Sequence, residues 1–272
     1  MPIELRPLAR KLGAFAVLSD DELAVLEAVS RRLRVFPPGQ DVIHQGQERR
    51  SAYVLASGWT SSYKLLPDGR RQIVDFQIPG DFLGLRSLLF RTSDHNIMPV
   101  TRIEASEVSI QDLVGGFNRA PRLAAAVLWA ASRDEAMVVE HLVGVGRRGP
   151  RERLAHFFLE LHARLRLVGF ATATSFDCPL SQYHLADALG LTAIHVNRVL
   201  RGFREADLMR FQKGKAEFLD PAELVRLADF DMAYLDQGGT PAQRCAVSVA
   251  RPRSGFGPAA RTPPIRPRRG AP

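Results

Sequence analysis

The chain has 272 residues, 46% of them apolar and 24% charged, with a formal charge of +8 and two cysteines. That is room for two ordinary domains with real cores, with no apolar run near the roughly 18 residues of a membrane span and no signal-peptide core at the N-terminus. Cys178 and Cys245 are too few for a disulfide framework, and neither sits in a metal-type cluster, so the expectation is a cytoplasmic protein with no membrane partner and no metal site.

In chain order, Leu18-Ser-Asp-Asp-Glu-Leu23 opens the first clear helix. Ser19 and Glu22 have capping-box spacing, and Leu23, Leu26 and Val29 follow at helical intervals. From Leu33 short β-type runs alternate with breaks: Leu33–Phe36, Asp41–His44, Ala52–Ala56, Thr60–Leu66 and Arg71–Phe76, with a closing strand over Ile103–Gln111. About eight such strands imply an antiparallel roll or sandwich. Asp68-Gly69 between two alternating runs is a strong hairpin signal. Residues 120–146 switch to helical period with two adjacent apolar stripes. One is Leu128, Ala131, Val138, Leu142 and Val145, interrupted by Glu135; the other is Val127, Ala130, Met137 and His141. Two stripes exceed the need of one packing partner, so one is expected to face the β domain and the other a second subunit. Gly144, Gly146 and Gly149-Pro150 mark a hinge, and Pro150 suits the first turn of a helix over Arg151–Leu167.

Residues 180–221 are the most informative stretch. Leu185, Ala186 and Leu189 share a face of a first short helix, Gly190 breaks it, and Thr192 is placed to cap a second. Val196, Val199, Leu200 and Phe203 form that second helix's apolar stripe; Ala193, His195, Asn197, Arg198 and Arg201 lie opposite. Leu208–Gln212, a Lys213-Gly214 turn and Lys215–Leu219 follow as a hairpin wing. A helix–turn–helix with a small, polar and basic outer face suits the DNA major groove. Arg198, Asn197, His195 and Ala193 are the candidate base readers, and Ser181, Gln182, Tyr183, Thr192, Arg201, Lys213 and Lys215 the candidate phosphate contacts. Beyond this, residues 237–272 hold seven arginines, seven prolines and no acid. Removing those seven charges from +8 leaves about +1 for residues 1–236, so the high charge belongs to a tail that reads as disordered and available for non-specific attraction to DNA.

Roll, long helix, hinge and winged helix-turn-helix, in that order, resemble the Crp/Fnr family of bacterial transcription regulators over about residues 12–230. The N-terminal marks are Tyr53-Val-Leu-Ala-Ser-Gly58, Asp68-Gly-Arg-Arg-Gln-Ile-Val-Asp-Phe76 and Pro79-Gly-Asp-Phe-Leu-Gly84. The C-terminal marks are Leu185-Ala-Asp-Ala-Leu-Gly-Leu-Thr192 and His195-Val-Asn-Arg-Val-Leu-Arg201. The resemblance implies an α+β fold: a cyclic-nucleotide-binding-like β-roll over 12–119, a dimerisation helix over 120–146, a winged helix-turn-helix over 150–236 and the basic tail over 237–272. It implies a homodimer on an inverted repeat of double-stranded DNA, with RNA polymerase as a further partner.

Family members that bind cyclic AMP hold its phosphate with Gly-Glu and with an Arg-Ser/Thr about ten residues on, the guanidinium pairing the phosphate. Here Gly84 is followed by Leu85, and the Arg position falls at His95 or Asn96. Both charged anchors are missing, so cyclic AMP is not expected, and Gly84, Arg86 and His95 stand as the candidate effector pocket. The iron–sulfur branch needs a cysteine cluster that the N-terminal half lacks, and haem on His44 or His95 is not expected either. In the recognition helix Arg198 occupies the family's guanine-reading Arg position, while Ile194 occupies the position of a cytosine-reading Glu. Two other readings compete. One is a nucleotide- or small-ligand-binding signalling module with a vestigial DNA domain, which the missing anchors disfavour. The other is an enzyme, for which there is no Gly-rich phosphate loop, metal-ligand spacing or nucleophile motif.

Overall fold

The computed structural model describes residues 6–48 and 51–235; the tail at 237–272 lies outside them. Helix α1 (Arg6–Gly13) comes first, then α2 (Asp20–Val29). The capping box at the start of α2 is formed: the Ser19 hydroxyl accepts from the Glu22 amide, and Glu22 Oε2 accepts from the Ser19 amide at 2.8 Å. Seven strands follow: β1 (Arg32–Phe36), β2 (Ser51–Ser57), β3 (Thr60–Leu65), β4 (Arg71–Gln77), β5 (Phe82–Leu83), β6 (Asn96–Pro99) and β7 (Ile103–Ser109). They form two antiparallel sheets, ordered β1-β7-β2-β5 and β4-β3-β6. The Asp68-Gly69 turn joins β3 to β4 as the sequence predicts, with Leu65 opposite Arg71. Tyr53, Leu55, Leu83, Ile103 and Ala105 of one sheet meet Ile97 of the other around Val42 and Ile43.

Two expectations need correction. The run Asp41–His44 is not a strand; only Ile43 bridges to Ile97. The closing strand ends at Ser109, not Gln111, because a second capping box intervenes. The Ser109 hydroxyl accepts from the Asp112 amide, and Asp112 accepts from the Ser109 amide, starting α3 (Ile110–Arg119). Three residues of local hydrogen bonding thus end the ladder.

Helix α4 (Pro121–Arg147) carries the two apolar stripes. Val127, Ala130 and Met137 are buried against the chain, together with Leu123 and Ala126. On the other side Leu128 is 67% and Leu142 72% exposed, with Val138, Val139 and Val145 also exposed. No helix among the described residues is long and apolar enough to cross a membrane.

Helix α5 (Pro150–Val168) follows the two-residue break at Arg148-Gly149 and is buried along most of its length. Its Leu154, Phe157, Phe158 and Leu161 share one core with Trp59, Ile73, Phe76 and Ile78 of the roll and with Leu185, Leu189, Val196 and Phe203 further on. A buried ionic cluster lies beside this core. Arg164 of α5 pairs with Asp81 at 3.0 Å and Asp75 at 3.0 Å, and donates to the Phe76 carbonyl at 2.8 Å. Asp81 also takes Lys11 of α1 at 2.8 Å and the Ile78 amide at 2.9 Å. Lys11 and Arg164 are 1% and 2% exposed, so neither charge is relieved by water. Burial would raise the Asp81 carboxyl, but Lys11 and Arg164 outweigh it and bring it to about 2. One turn earlier on α5, Glu160 pairs with His141 of α4 at 2.9 Å and accepts from the Tyr234 hydroxyl at 2.8 Å.

Removing one member of such a cluster leaves the others buried and unmatched. Asp81→Asn is therefore expected to cost about 3–5 kcal/mol, seen as a lower urea midpoint at unchanged slope; a loss below about 1 kcal/mol would show that the cluster is not the junction it looks to be. The His141–Glu160 pair predicts a pH dependence. Burial would lower His141, but the Glu160 carboxylate outweighs it and raises the imidazole from 6.5 to about 9. A raised folded pKa gives stability that is complete below about 6.5 and is lost as pH rises through about 9. Against its own burial, Glu160 is lowered from 4.5 to about 2, so its contribution is present above 4.5 and lost as pH falls toward 2. Unfolding free energy is expected to decline between neutral pH and the His141 midpoint, and His141→Gln to flatten that slope, as measured by urea titrations across the range.

Candidate nucleic-acid interface

After α5 the chain forms β8 (Ser175–Asp177), α6 (Gln182–Leu189), α7 (Ala193–Glu205), β9 (Met209–Gln212), β10 (Lys215–Phe218) and α8 (Pro221–Ala228). Both helices of the turn motif are capped by residues expected to touch phosphate. The Ser181 hydroxyl accepts from the His184 amide at 3.2 Å, and the Thr192 hydroxyl accepts from the His195 amide at 3.2 Å. Each hydroxyl keeps its own proton to donate outward. Gly190 ends α6 at φ 62°, the left-handed region where a side chain would be strained. The tight turn brings Leu185 and Leu189 against Val196, Val199 and Phe203.

That packing turns the rest of α7 outward. Ile194, Asn197, Arg198 and Arg201 are exposed, while Ala193 and His195 are half-buried. Asn197 Nδ2 donates to Gln182 Oε1 at 3.2 Å, which fastens the outer face of α7 to the first turn of α6. Gln182 and Asn197, one an expected phosphate contact and the other an expected base reader, therefore hold each other in place. Tyr183, beside Gln182, is 70% exposed.

The wing is the three-stranded sheet β8-β10-β9. Lys213 and Gly214 both have positive φ, 51° and 71°, as a two-residue hairpin turn requires. Lys213 and Lys215 stand exposed at its tip. Behind the turn the Cys178 amide donates to the Gly214 carbonyl at 2.7 Å. Burial pushes the Cys178 thiol up to about 12, so this cysteine packs as an apolar group and is not poised to react.

Sequence reasoning missed how this unit is seated. Arg71 Nε of β4 donates to Asp187 Oδ2 of α6 at 2.6 Å, and Gln72 Nε2 donates to the Ala188 carbonyl at 3.0 Å. Arg153 of α5 donates to the carbonyls of Leu189 and Val145. The roll hairpin and the end of α4 thus fix the orientation of α6. Arg71 and Gln72 alternate as ordinary strand residues, and nothing in their spacing marks a partner 116 positions away.

Of the three expected effector residues, Arg86 and His95 meet at one corner of the roll, and Gly84 lies two residues before Arg86. Gly84 has φ 67°, and a Cβ there would collide with Ile43 Cδ1. A short 3₁₀ turn follows over Leu85–Leu88. Arg86 Nη1 pairs with Asp94 Oδ2 at 3.2 Å, and Asp94 Oδ1 lies 2.7 Å from His95 Nδ1. Burial lowers the His95 imidazole, outweighing the opposite pull of the Asp94 carboxylate. Asp94, which sequence reasoning did not single out, ties the corner together and already engages the Arg86 guanidinium.

Comparison with known proteins agrees with this layout. The cyclic nucleotide-binding domain family matches residues 33–119, and the Crp-like helix-turn-helix domain family matches residues 152–227. The nitrogen fixation regulation protein FixK of Bradyrhizobium diazoefficiens is 33% identical over 208 residues, covering 76% of this chain and 86% of that protein. The transcriptional activatory protein AadR of Rhodopseudomonas palustris is 30% identical, covering 74% and 83% respectively. Among solved structures, FixK2 from Bradyrhizobium japonicum superposes with a TM-score of 0.65 at 24% identity, over 72% of this chain and 96% of that one.

Proposed function

The chain belongs to the Crp/Fnr family of transcription regulators, and from that premise we propose that it is a homodimeric, sequence-specific DNA-binding regulator that reads an inverted repeat with α7 in the major groove. The observation that carries this is the outer face of α7: Arg198 and Arg201 exposed on a helix whose opposite side is locked into the core. Arg198 is the guanine reader, since a guanidinium donates to O6 and N7 together. Asn197, His195 and Ala193 line the same groove. Ser181, Gln182, Tyr183, Thr192, Arg201 and the wing lysines Lys213 and Lys215 set the register on phosphates. The domain division is a roll over 12–119, a dimer helix over 120–146 and a DNA-binding unit over 150–236. The roll is the sensing half, with the Gly84–Arg86–His95 corner as its place for a small ligand; a phosphate there must displace Asp94 from Arg86. A regulator of this kind works in the cytoplasm, with RNA polymerase as its further partner.

The test of the whole reading is selection of bound DNA from a random pool with the purified chain; a pool that yields no common sequence would sink it. Arg198→Ala is expected to weaken specific binding by about 1–3 kcal/mol and to relax the preference at one guanine per half-site. Retention of full discrimination at every base would remove Arg198 from the role. The dimer is expected to bury the exposed stripe of α4, with half-sites about 34–36 Å apart. Leu142, 72% exposed in the single chain, is the place to test this. Leu142→Glu is expected to give a folded monomer in ultracentrifugation at micromolar concentration, where the parent chain sediments as a dimer.

A further inference from the structure

One residue of the α7 outer face is not explained by polar recognition. Ile194 is 76% exposed, and among the exposed large apolar side chains of the described residues only Leu89, at 77%, is more so. It lies in the first turn of α7, on the side opposite Val196, Val199 and Phe203, which fill the core. Two polar neighbours are already engaged within the chain: Thr192 caps the helix and Asn197 is tied to Gln182. Ile194 therefore projects from the helix as a bare, stiff, β-branched hydrocarbon, one turn before Arg198.

A side chain with no donor and no acceptor can recognise only an apolar group. The major groove offers one, the C5 methyl of thymine. Four residues of helix advance about 6 Å, and base pairs are spaced about 3.4 Å along each strand, so Ile194 reaches within about two base steps of the base that Arg198 reads. We infer that Ile194 is a specificity-determining residue that packs on the methyl group of a thymine close to the Arg198-read guanine in each half-site. This rests on α7 being the recognition helix. It adds a base preference that the polar residues cannot supply.

The experiment uses the full chain and the sequence recovered from the random pool. Each thymine within two base pairs of the guanine is replaced singly by deoxyuridine, which keeps the pairing and removes only the methyl. One such position per half-site is expected to weaken binding about fourfold, the effect of losing one buried methyl. 5-Methylcytosine at that position is expected to bind more tightly than cytosine. In Ile194→Ala the deoxyuridine penalty should vanish while the guanine preference persists; in Arg198→Ala the penalty should remain. Ile194 is a surface residue, and an unchanged thermal midpoint checks that the variant is folded. A half-site without thymine near the guanine, indifference to deoxyuridine at every position, or a penalty undiminished in Ile194→Ala would each overturn the inference while leaving DNA recognition intact. A pool with no selected sequence would instead overturn the recognition reading, and this inference with it.

Discussion

Arg164 cannot give up its proton, and it is buried at the point where the roll, the long helix and the DNA-binding unit meet. Its surroundings must therefore supply compensating negative charge in fixed positions. Asp75 brings β4, Asp81 brings the turn before β5, and Glu160, 3.7 Å away, supplies one more carboxylate from α5 itself. Lys11 then neutralises the second Asp81 oxygen and pulls α1 across the roll. Such a cluster adds little stability over an apolar plug of the same shape. A misplaced partner, however, leaves a buried charge alone, at several kcal/mol. The cluster thus narrows the ways in which α5 can sit on the roll, and α5 carries the helix-turn-helix behind it.

From that seat the outer face of α7 follows by short steps. Arg71 and Gln72 dock α6 on the hairpin of the roll. The left-handed Gly190 sends the chain back, Thr192 starts α7, and the shared core under Val196 and Phe203 sets its rotation. Asn197 and Gln182 then cross-tie the two helices at the surface. The arginines and Ile194 are placed by what lies beneath them.

How much of this the sequence reveals depends on the range of the interaction. Capping, period and turn chemistry act over a few residues. The helix at Ser19, the Asp68-Gly69 hairpin, the two stripes of residues 120–146, the helix-turn-helix and the wing are all legible from neighbours. Helix α3 was also written locally, in Ser109 and Asp112, but the apolar alternation of β7 masks it until the ladder is seen to stop. The ionic junction is different. Lys11, Asp81 and Arg164 lie far apart in sequence: Lys11 bonds to Asp81 across 70 positions, and to Asp134 of α4, at 3.3 Å, across 123. The Arg86–His95 corner of the roll falls between these cases: Gly84 and His95 stand at positions of the family pattern and Arg86 lies nearby, yet Asp94, which joins Arg86 to His95, needs the folded loop to be recognised. Ile194 enters the sequence reading only as the residue at the family's Glu position, and its exposure is what makes that position informative.

The core shared by α5 and the roll also bears on how the chain is made. Trp59, Ile73, Phe76 and Ile78 leave the ribosome well before Leu154, Phe157 and Phe158, which cover them. At about 5–20 residues per second, the wait is on the order of ten seconds. During that interval the roll can close its own sheets around Tyr53, Leu55 and Ile103, but one of its faces stays bare. The exposure of the nascent chain to misassembly is concentrated there, and it ends with the arrival of the helix whose arginine secures the junction.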